Sequence, residues 1–256
     1  MMRLHKVLLE EIIWELSSIT RCPILEIVLG FFTFIAMLNF SEFSEISSCY
    51  MDALLRGYSL HEHLAFIIIV NSEIILFLIT SLLSATLFTR GLEFGYLRDE
   101  LSLPVTRGLI FLAKSTAVFL FLFLSIMIVF LSCLLFLDPI GGISYVVLSH
   151  RMLQVIAFVT TEIMLPLSIS LLFSVLSRSY LPSMLSSFLF LMGLYFLSPH
   201  TPLFQVVFPI ATRTLLRDFF SKEDLVSLVS SIAVKWGLSL ILIVVSYYYF
   251  EKRVEA

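Results

Sequence analysis

The sequence predicts an all-α protein that crosses a membrane six times. Of its 256 residues, 59% are hydrophobic and only 14% are charged, whereas a soluble domain carries about 25% charged residues. The mean hydropathy is +1.04. Because so few charged side chains cannot cover a surface that faces water, the composition excludes a soluble enzyme, a disordered tail and a secreted disulfide-rich domain.

Six apolar segments account for the predicted spans, since a bilayer core takes about 20 apolar residues per helix. They are residues 24–40, 64–88, 115–137, 152–176, 183–198 and 232–250. Strands of a membrane barrel would alternate apolar and polar side chains. Runs such as residues 119–124 are apolar on every face, which favours helices over strands.

Charge placement predicts the orientation of these spans. With six spans both termini lie on one side of the membrane, and most Lys and Arg side chains fall on that side. Because cytoplasmic loops are the ones enriched in Lys and Arg, we expect a multi-pass protein of the cell membrane with both termini in the cytoplasm. The net charge of −3 provides no basic surface for nucleic acid.

Residues 1–22 predict an amphipathic helix that lies in the membrane interface, here called the elbow helix. Drawn as a helix, the segment collects its apolar side chains in one broad arc. These are Leu4, Leu8, Leu9, Ile12, Ile13, Leu16 and Ile19. Glu10, Glu11 and Glu15 belong to the polar remainder, and they exclude a signal peptide because its central stretch is uncharged.

Two outer segments carry further patterns. In the outer loop of residues 199–225, Pro199, Pro202 and Pro209 surround the apolar stretch 203–207, and residues 213–222 follow at helical spacing. This pattern predicts short re-entrant helices that pack on the protein in the outer leaflet. His61 and His63 flank Glu62 in a predicted outer loop. An isolated HxH pattern without further ligands is typical of solvated side chains, so no metal site is predicted.

The largest predicted cytoplasmic feature is the loop of residues 89–114. Its middle part fits a short helix with Leu92, Tyr96 and Leu103 on one side, and Pro104 ends that helix because the residue before proline avoids the α region. A charged helix that projects in this way suits docking into a groove of a soluble partner. An amphipathic helix that lies on the membrane fits the same pattern.

At these residues the chain resembles the permease subunits of type-2 ABC exporters. The matching signature is Glu93-x-Gly95-x-Leu97, followed by Leu101-Ser102-Leu103-Pro104-Val105-Thr106-Arg107 and then Lys114. The elbow helix, the proline-broken outer hairpin before the last span and the junction at residues 171–179 extend the resemblance over the whole chain. Arg98-Asp99-Glu100 is more polar than in many members of the family.

The resemblance implies a permease subunit that pairs with a second permease subunit, as a homodimer or a heterodimer. It implies that each permease binds a separate ATP-binding cassette subunit and that the loop helix is the coupling helix between them. The implied coupling residues are Glu93, Gly95, Leu97, Glu100, Leu101, Pro104 and Arg107. The chain has no GxxxxGK[ST] loop, so we expect ATP and Mg²⁺ on the partner subunit and no enzymatic activity, cofactor or metal on this chain.

Ionisable residues inside the spans are candidate functional residues, since a charge in a bilayer is unfavourable by several kcal/mol. Glu73, next to Asn71, lies in the second predicted span, and Glu162 lies in the fourth, one turn before Pro166. We predict a possible translocation path at Asn71, Glu73 and Glu162. The alternative is that both acids are protonated or hydrogen-bonded between helices and only hold the bundle together.

Two other functions fit the same sequence. One is a secondary transporter driven by ions, with Glu73 and Glu162 as proton or sodium sites, although such carriers usually show paired repeats and broken helices. The other is a membrane scaffold that anchors a partner without transport. The sequence does not distinguish among lipids, peptides, drugs, sugars and metal-linked compounds as the substrate. The reason is that apolar residues facing a translocation path look like apolar residues facing lipid.

Overall fold

The computed structural model describes residues 2–21, 25–34, 60–95, 106–137, 151–177, 179–197 and 225–255, and within them the regular structure is helical without a strand. The helices are α1 (Met2–Arg21), α2 (Leu25–Phe34), α3 (Leu60–Ser84), the π-helix (Ala85–Arg90), α4 (Gly91–Glu93), α5 (Arg107–Leu137), α6 (Arg151–Leu176), α7 (Tyr180–Leu197) and α8 (Leu225–Glu255). The all-α prediction is therefore confirmed for the described residues.

Five of the described helical stretches are long and apolar enough to cross a bilayer. They are Ser72–Glu93, Arg107–Ser132, Ile156–Leu176, Tyr180–Leu197 and Ile232–Lys252. These five make the chain a membrane protein. The first predicted span is described only over Leu25–Phe34, which is too short to cross by itself, so six spans stay a prediction. The predicted re-entrant hairpin lies outside the described residues.

The helices on either side of the loop extend further into it than the sequence predicts. The helical stretch that begins with α3 continues to Glu93, and α5 begins at Arg107 rather than at residue 115. Lys114 explains the second difference, because this lysine is buried and ion-paired inside the bundle instead of marking a wet loop. Residues 96–105 lie outside the described part of the chain.

A six-residue π-helix separates α3 from α4. Its hydrogen bonds close wider turns than those of an α-helix, and such segments are often found at functional sites. Five of its residues keep the apolar or small character of the span, and Arg90 ends it. The sequence carries no breaker residue between Ala85 and Arg90, so apolar periodicity alone predicts an uninterrupted α-helix here.

The core lies among α3, α5 and α6, which pack on one another. Helix α1 packs on α5, α7 packs on α3 and α6, and α8 packs mainly on α6. Helices α7 and α8 are largely exposed along their lengths, as expected for helices that face lipid or a second subunit. Three central helices thus form the core of the bundle, and the other helices pack against its sides.

Buried aromatic rings join three helices at the end of the bundle next to the loop, here called the loop end. Phe88 of the π-helix lies 5.4 Å from the ring of Phe111 in α5 and 5.7 Å from that of Phe250 in α8. Tyr247 packs edge-on against Phe111 at 5.8 Å. Its ring lies so close to Gly108 that a Cβ there would approach the Tyr247 hydroxyl oxygen to 2.6 Å. Glycine at the start of α5 is what lets α8 come this near.

Small hydroxyl residues line the contact of α3, α6 and α7. Ser81 of α3 and Ser170 of α6 have their hydroxyl oxygens 3.4 Å apart, and Ser174, Ser183 and Ser187 are also buried. Small side chains let membrane helices approach closely, and their hydroxyls satisfy one another in the absence of water. This seam runs towards the loop end.

Candidate functional site

The structure describes three of the seven predicted coupling residues. Glu93, Gly95 and Arg107 border the loop, whereas Leu97, Glu100, Leu101 and Pro104 lie outside the described residues. Glu93 ends α4 and Arg107 begins α5. The described part of the candidate site is therefore the pair of junctions where the chain enters and leaves the loop.

Glu93 is bound to the start of another helix. Its Oε2 accepts a hydrogen bond from the backbone N–H of Tyr180 at 2.8 Å. Tyr180 is the first residue of α7, and the Ser179 carbonyl accepts the first helical bond from the Ser183 N–H at 3.2 Å. The first N–H groups of a helix have no partner within the helix, and a carboxylate there also meets the positive end of the helix dipole. Glu93 is thus an N-terminal capping group supplied from a distant part of the sequence.

The backbone turns sharply after Glu93. The Phe94 N–H donates to the Arg90 carbonyl at 3.0 Å, and Gly95 has a φ of +82°. Residues with a side chain rarely adopt this left-handed conformation. The glycine of the Glu93-x-Gly95 pattern therefore ends the helix and releases the chain into the loop.

Phe94, between these two residues, points away from the bundle. Its side chain is 61% exposed, and the guanidinium carbon of Arg90 lies 5.7 Å from the centre of its ring. A cation at this distance is attracted to the face of an aromatic ring. The acid of the motif therefore binds the start of α7 at the surface, whereas its aromatic neighbour faces away from the bundle.

Thr89 makes a second link from the loop entry to the neighbouring helices. It is completely buried, and its hydroxyl donates to the Ser174 carbonyl of α6 at 2.7 Å. The same oxygen lies 3.1 Å from the Ser183 hydroxyl of α7. Thr89 sits in the last turn of the π-helix, so this irregular turn and the hydroxyl seam meet at one side chain.

The loop exit is attached to a different helix. Lys114 of α5 forms an ion pair with Glu15 of α1, and both side chains are 3% exposed. Glu15, which helical periodicity places in the polar remainder of the elbow helix, is thus buried against α5. Helical periodicity cannot distinguish a solvated carboxylate from one that has a buried ammonium as its partner. On α1, Leu9, Ile13 and Trp14 are exposed instead.

Glu162, one of the predicted path residues, is also ion-paired. Its Oε1 accepts a hydrogen bond from the Lys235 Nζ of α8 at 2.8 Å, and both side chains are buried. Beside it, the Trp236 Nε1–H donates to the Thr161 hydroxyl oxygen at 3.1 Å. Helix α8 thus directs Lys235 into its contact with α6.

Pro166 leaves a backbone carbonyl without its usual helical hydrogen bond in this turn of α6. It lies inside the helix and has no N–H to donate to the carbonyl of Glu162, one turn earlier. The helix therefore lacks one of its own bonds at the turn that carries the ion pair. Glu162 and Lys235 supply a contact between helices at this turn of α6.

Glu73 occupies a separate position on α3. It is buried, as is its neighbour Ser72, whereas the side chain of Asn71 lies outside the described residues. His61 and His63 fall in the first turn of α3 rather than in a loop, and their side chains are outside the description. Among the described residues no group of three or more His, Cys, Asp or Glu could hold a metal ion.

Comparison with known proteins gives no assignment. No model of a known protein family matches the chain, and no curated protein sequence matches it. The resemblance to exporter permeases therefore depends on the sequence pattern alone and stays a prediction.

Proposed function

We propose that the chain is the membrane-spanning permease subunit of a type-2 ABC exporter. A separate ATP-binding subunit, carrying ATP and Mg²⁺, would drive outward movement of the substrate by alternating access. The observation that carries the proposal is the loop signature, Glu93-x-Gly95 through Arg107, placed between two long apolar helices. Support also comes from the left-handed backbone conformation of Gly95, which explains why the signature has a glycine at this position.

The attachments of the loop support a role in transmitting force. At the entry, Glu93 binds the start of α7 and Thr89 binds α6. At the exit, Lys114 binds α1, and Gly108 lets α5 pack closely on α8. A displacement of the loop by a bound ATPase would therefore reach the described helices through contacts beyond the covalent chain.

The proposal includes the arrangement in the cell. Both termini would face the cytoplasm, α1 would be the elbow helix, and a second permease subunit would complete the path. Exposed Tyr248 and Tyr249 near the end of α8, with the Lys252 ammonium 4.7 Å from the Tyr248 ring centre, are consistent with an inner interface belt.

The docking test co-expresses the chain with a candidate ATP-binding cassette subunit, chosen by a GxxxxGK[ST] loop in the product of a neighbouring gene. We expect the two proteins to co-purify and Leu97→Asp to remove most of the bound ATPase, because a charge replaces the apolar side chain of the signature. Glu26→Ala, which changes an exposed acid on α2, is the control and should retain it. Undiminished association in Leu97→Asp, or transport without ATP hydrolysis, would contradict the proposal.

The ion-driven carrier is kept as a second candidate because Glu73 and Glu162 are both buried. In that case, substrate uptake into vesicles should follow an imposed proton or sodium gradient without ATP, and Glu73→Gln should abolish the gradient-driven part. If the exporter proposal is correct, Glu73→Gln slows transport at most, and collapse of both gradients leaves ATP-driven transport intact. Uptake with each energy source in turn separates the two candidates.

A further inference from the structure

We infer that Glu93 is a positioning residue, which links the loop to α7 and does not itself hold the ATPase. The inference rests on the proposed function and changes the role that the loop signature implies for this acid. The carboxylate that heads the signature is already engaged inside the chain, on the Tyr180 N–H at 2.8 Å. Movement of the loop entry would then shift the start of α7 directly.

The sequence of α7 explains why a group from outside is needed. Its first turn reads Ser179-Tyr180-Leu181-Pro182, and proline has no N–H to donate. Tyr180 is one of the few remaining N–H donors at this end, and the Glu93 carboxylate meets it. The N-terminus of α7, a helix long and apolar enough to cross a membrane, is thus capped by a side chain of the loop entry.

A second contact makes the link specific. Thr89, one turn before Glu93, contacts Ser183 of α7 and the Ser174 carbonyl of α6. The two contacts, one buried and one at the surface, fix both the position and the rotation of the loop entry relative to α7. The loop entry therefore holds α7 at two points, Thr89 in the last turn of the π-helix and Glu93 just after it.

The chain offers a matched set of variants. Glu93→Ala removes the acceptor, whereas Glu93→Gln retains an oxygen that can accept. Tyr180→Pro removes the donor N–H at a first helical position, where proline fits, and Tyr180→Ala retains the N–H while deleting the ring. Glu93→Ala with Tyr180→Pro closes a double-mutant cycle.

The first measurement is amide hydrogen exchange on the purified chain in lipid nanodiscs. With the cap removed, Glu93→Ala should exchange about fivefold faster in the first turn of α7, a change typical for loss of a capping side chain. Glu93→Gln should show a smaller change, and Glu26→Ala should show none. Unchanged exchange in Glu93→Ala would overturn the inference.

The second measurement uses the chain in complex with its ATPase and counts ATP hydrolysed per substrate moved. Glu93→Ala and Tyr180→Pro should each raise this ratio about fivefold while ATPase association stays within about twofold. The double variant should be no worse than either single one, and Tyr180→Ala should stay near wild type. A variant that is merely unstable loses hydrolysis and transport together, so the ratio isolates positioning.

Two results would refute the positioning role. One is loss of ATPase association in Glu93→Ala with full association in Tyr180→Pro, which would make Glu93 a docking residue. The other is an unchanged ratio in both single variants. If the wild-type chain binds no ATPase at all, the proposed function fails instead, and the exchange measurement alone still decides whether Glu93 holds α7.

Discussion

Replacing Lys235 with Met should destabilise the protein by about 3–5 kcal/mol. The substitution leaves Glu162 buried in the contact of α6 and α8 without the ammonium that compensates its charge, and breaking a buried ion pair by removing one partner has this magnitude. Pro166 increases the effect, because the same turn of α6 already lacks a backbone bond. The free energy of unfolding, measured by titration with denaturing detergent, provides the test.

Paired variants separate stability from transport at this site. The double variant Glu162→Gln, Lys235→Met should regain most of the stability, since it buries no unpaired charge. Lys252→Met, an exposed lysine on the same helix, is the control and should change stability by less than about 1 kcal/mol. A double variant that is stable but transports nothing would assign Glu162 to the translocation path. Full transport by that variant would restrict the ion pair to holding the helices together.

The second large effect is expected at Lys114→Met, with a loss of about 3–5 kcal/mol in the free energy of unfolding. Glu15 would then be buried without this partner in the contact between α1 and α5. Because α1 is held to the bundle from one side, we expect it to detach before the rest unfolds. Limited proteolysis near residues 22–24 should therefore accelerate in the variant.

Lys6→Met, which changes an exposed lysine of α1, is the matched control for Lys114→Met and should leave both measurements unchanged. The exchanged pair Glu15→Lys, Lys114→Glu should recover part of the lost stability, because opposite charges again meet. Equal proteolysis of wild type and Lys114→Met would show that the ion pair does not hold α1.

The apolar helices could be predicted from sequence because lipid imposes a local requirement. In lipid, the backbone N–H and C=O groups of a stretch such as Arg107–Leu137 must hydrogen-bond within the same helix, whatever lies elsewhere in the chain. The polar contacts could not be predicted, because they join residues far apart in the chain. Glu93 and Tyr180 are 87 residues apart, Glu15 and Lys114 are 99 apart, and Glu162 and Lys235 are 73 apart.

The candidate site was predictable only in outline for the same reason. The sequence predicts a short helix that carries Leu92 and Tyr96 on one side, whereas the described helix ends at Glu93 and Gly95 is left-handed. The hydrogen bond of Glu93 depends on where α7 begins, which no local pattern specifies. The π-helix at Ala85–Arg90 also escapes prediction, because its residues are those of an ordinary apolar helix.

The π-helix has a consequence for how this protein can change over evolutionary time. A turn with i→i+5 bonding holds one residue more than an α-turn, so Ala85–Arg90 has the length of an α-helix that has absorbed an insertion. Loss of one residue there would restore α-helical bonding and keep both the packing of α3 on α6 and the direction of the loop entry, whereas the same loss elsewhere in α3 would rotate everything beyond it by about 100°. Ala85–Arg90 is therefore the part of this span where a single-codon deletion should disturb the membrane bundle least.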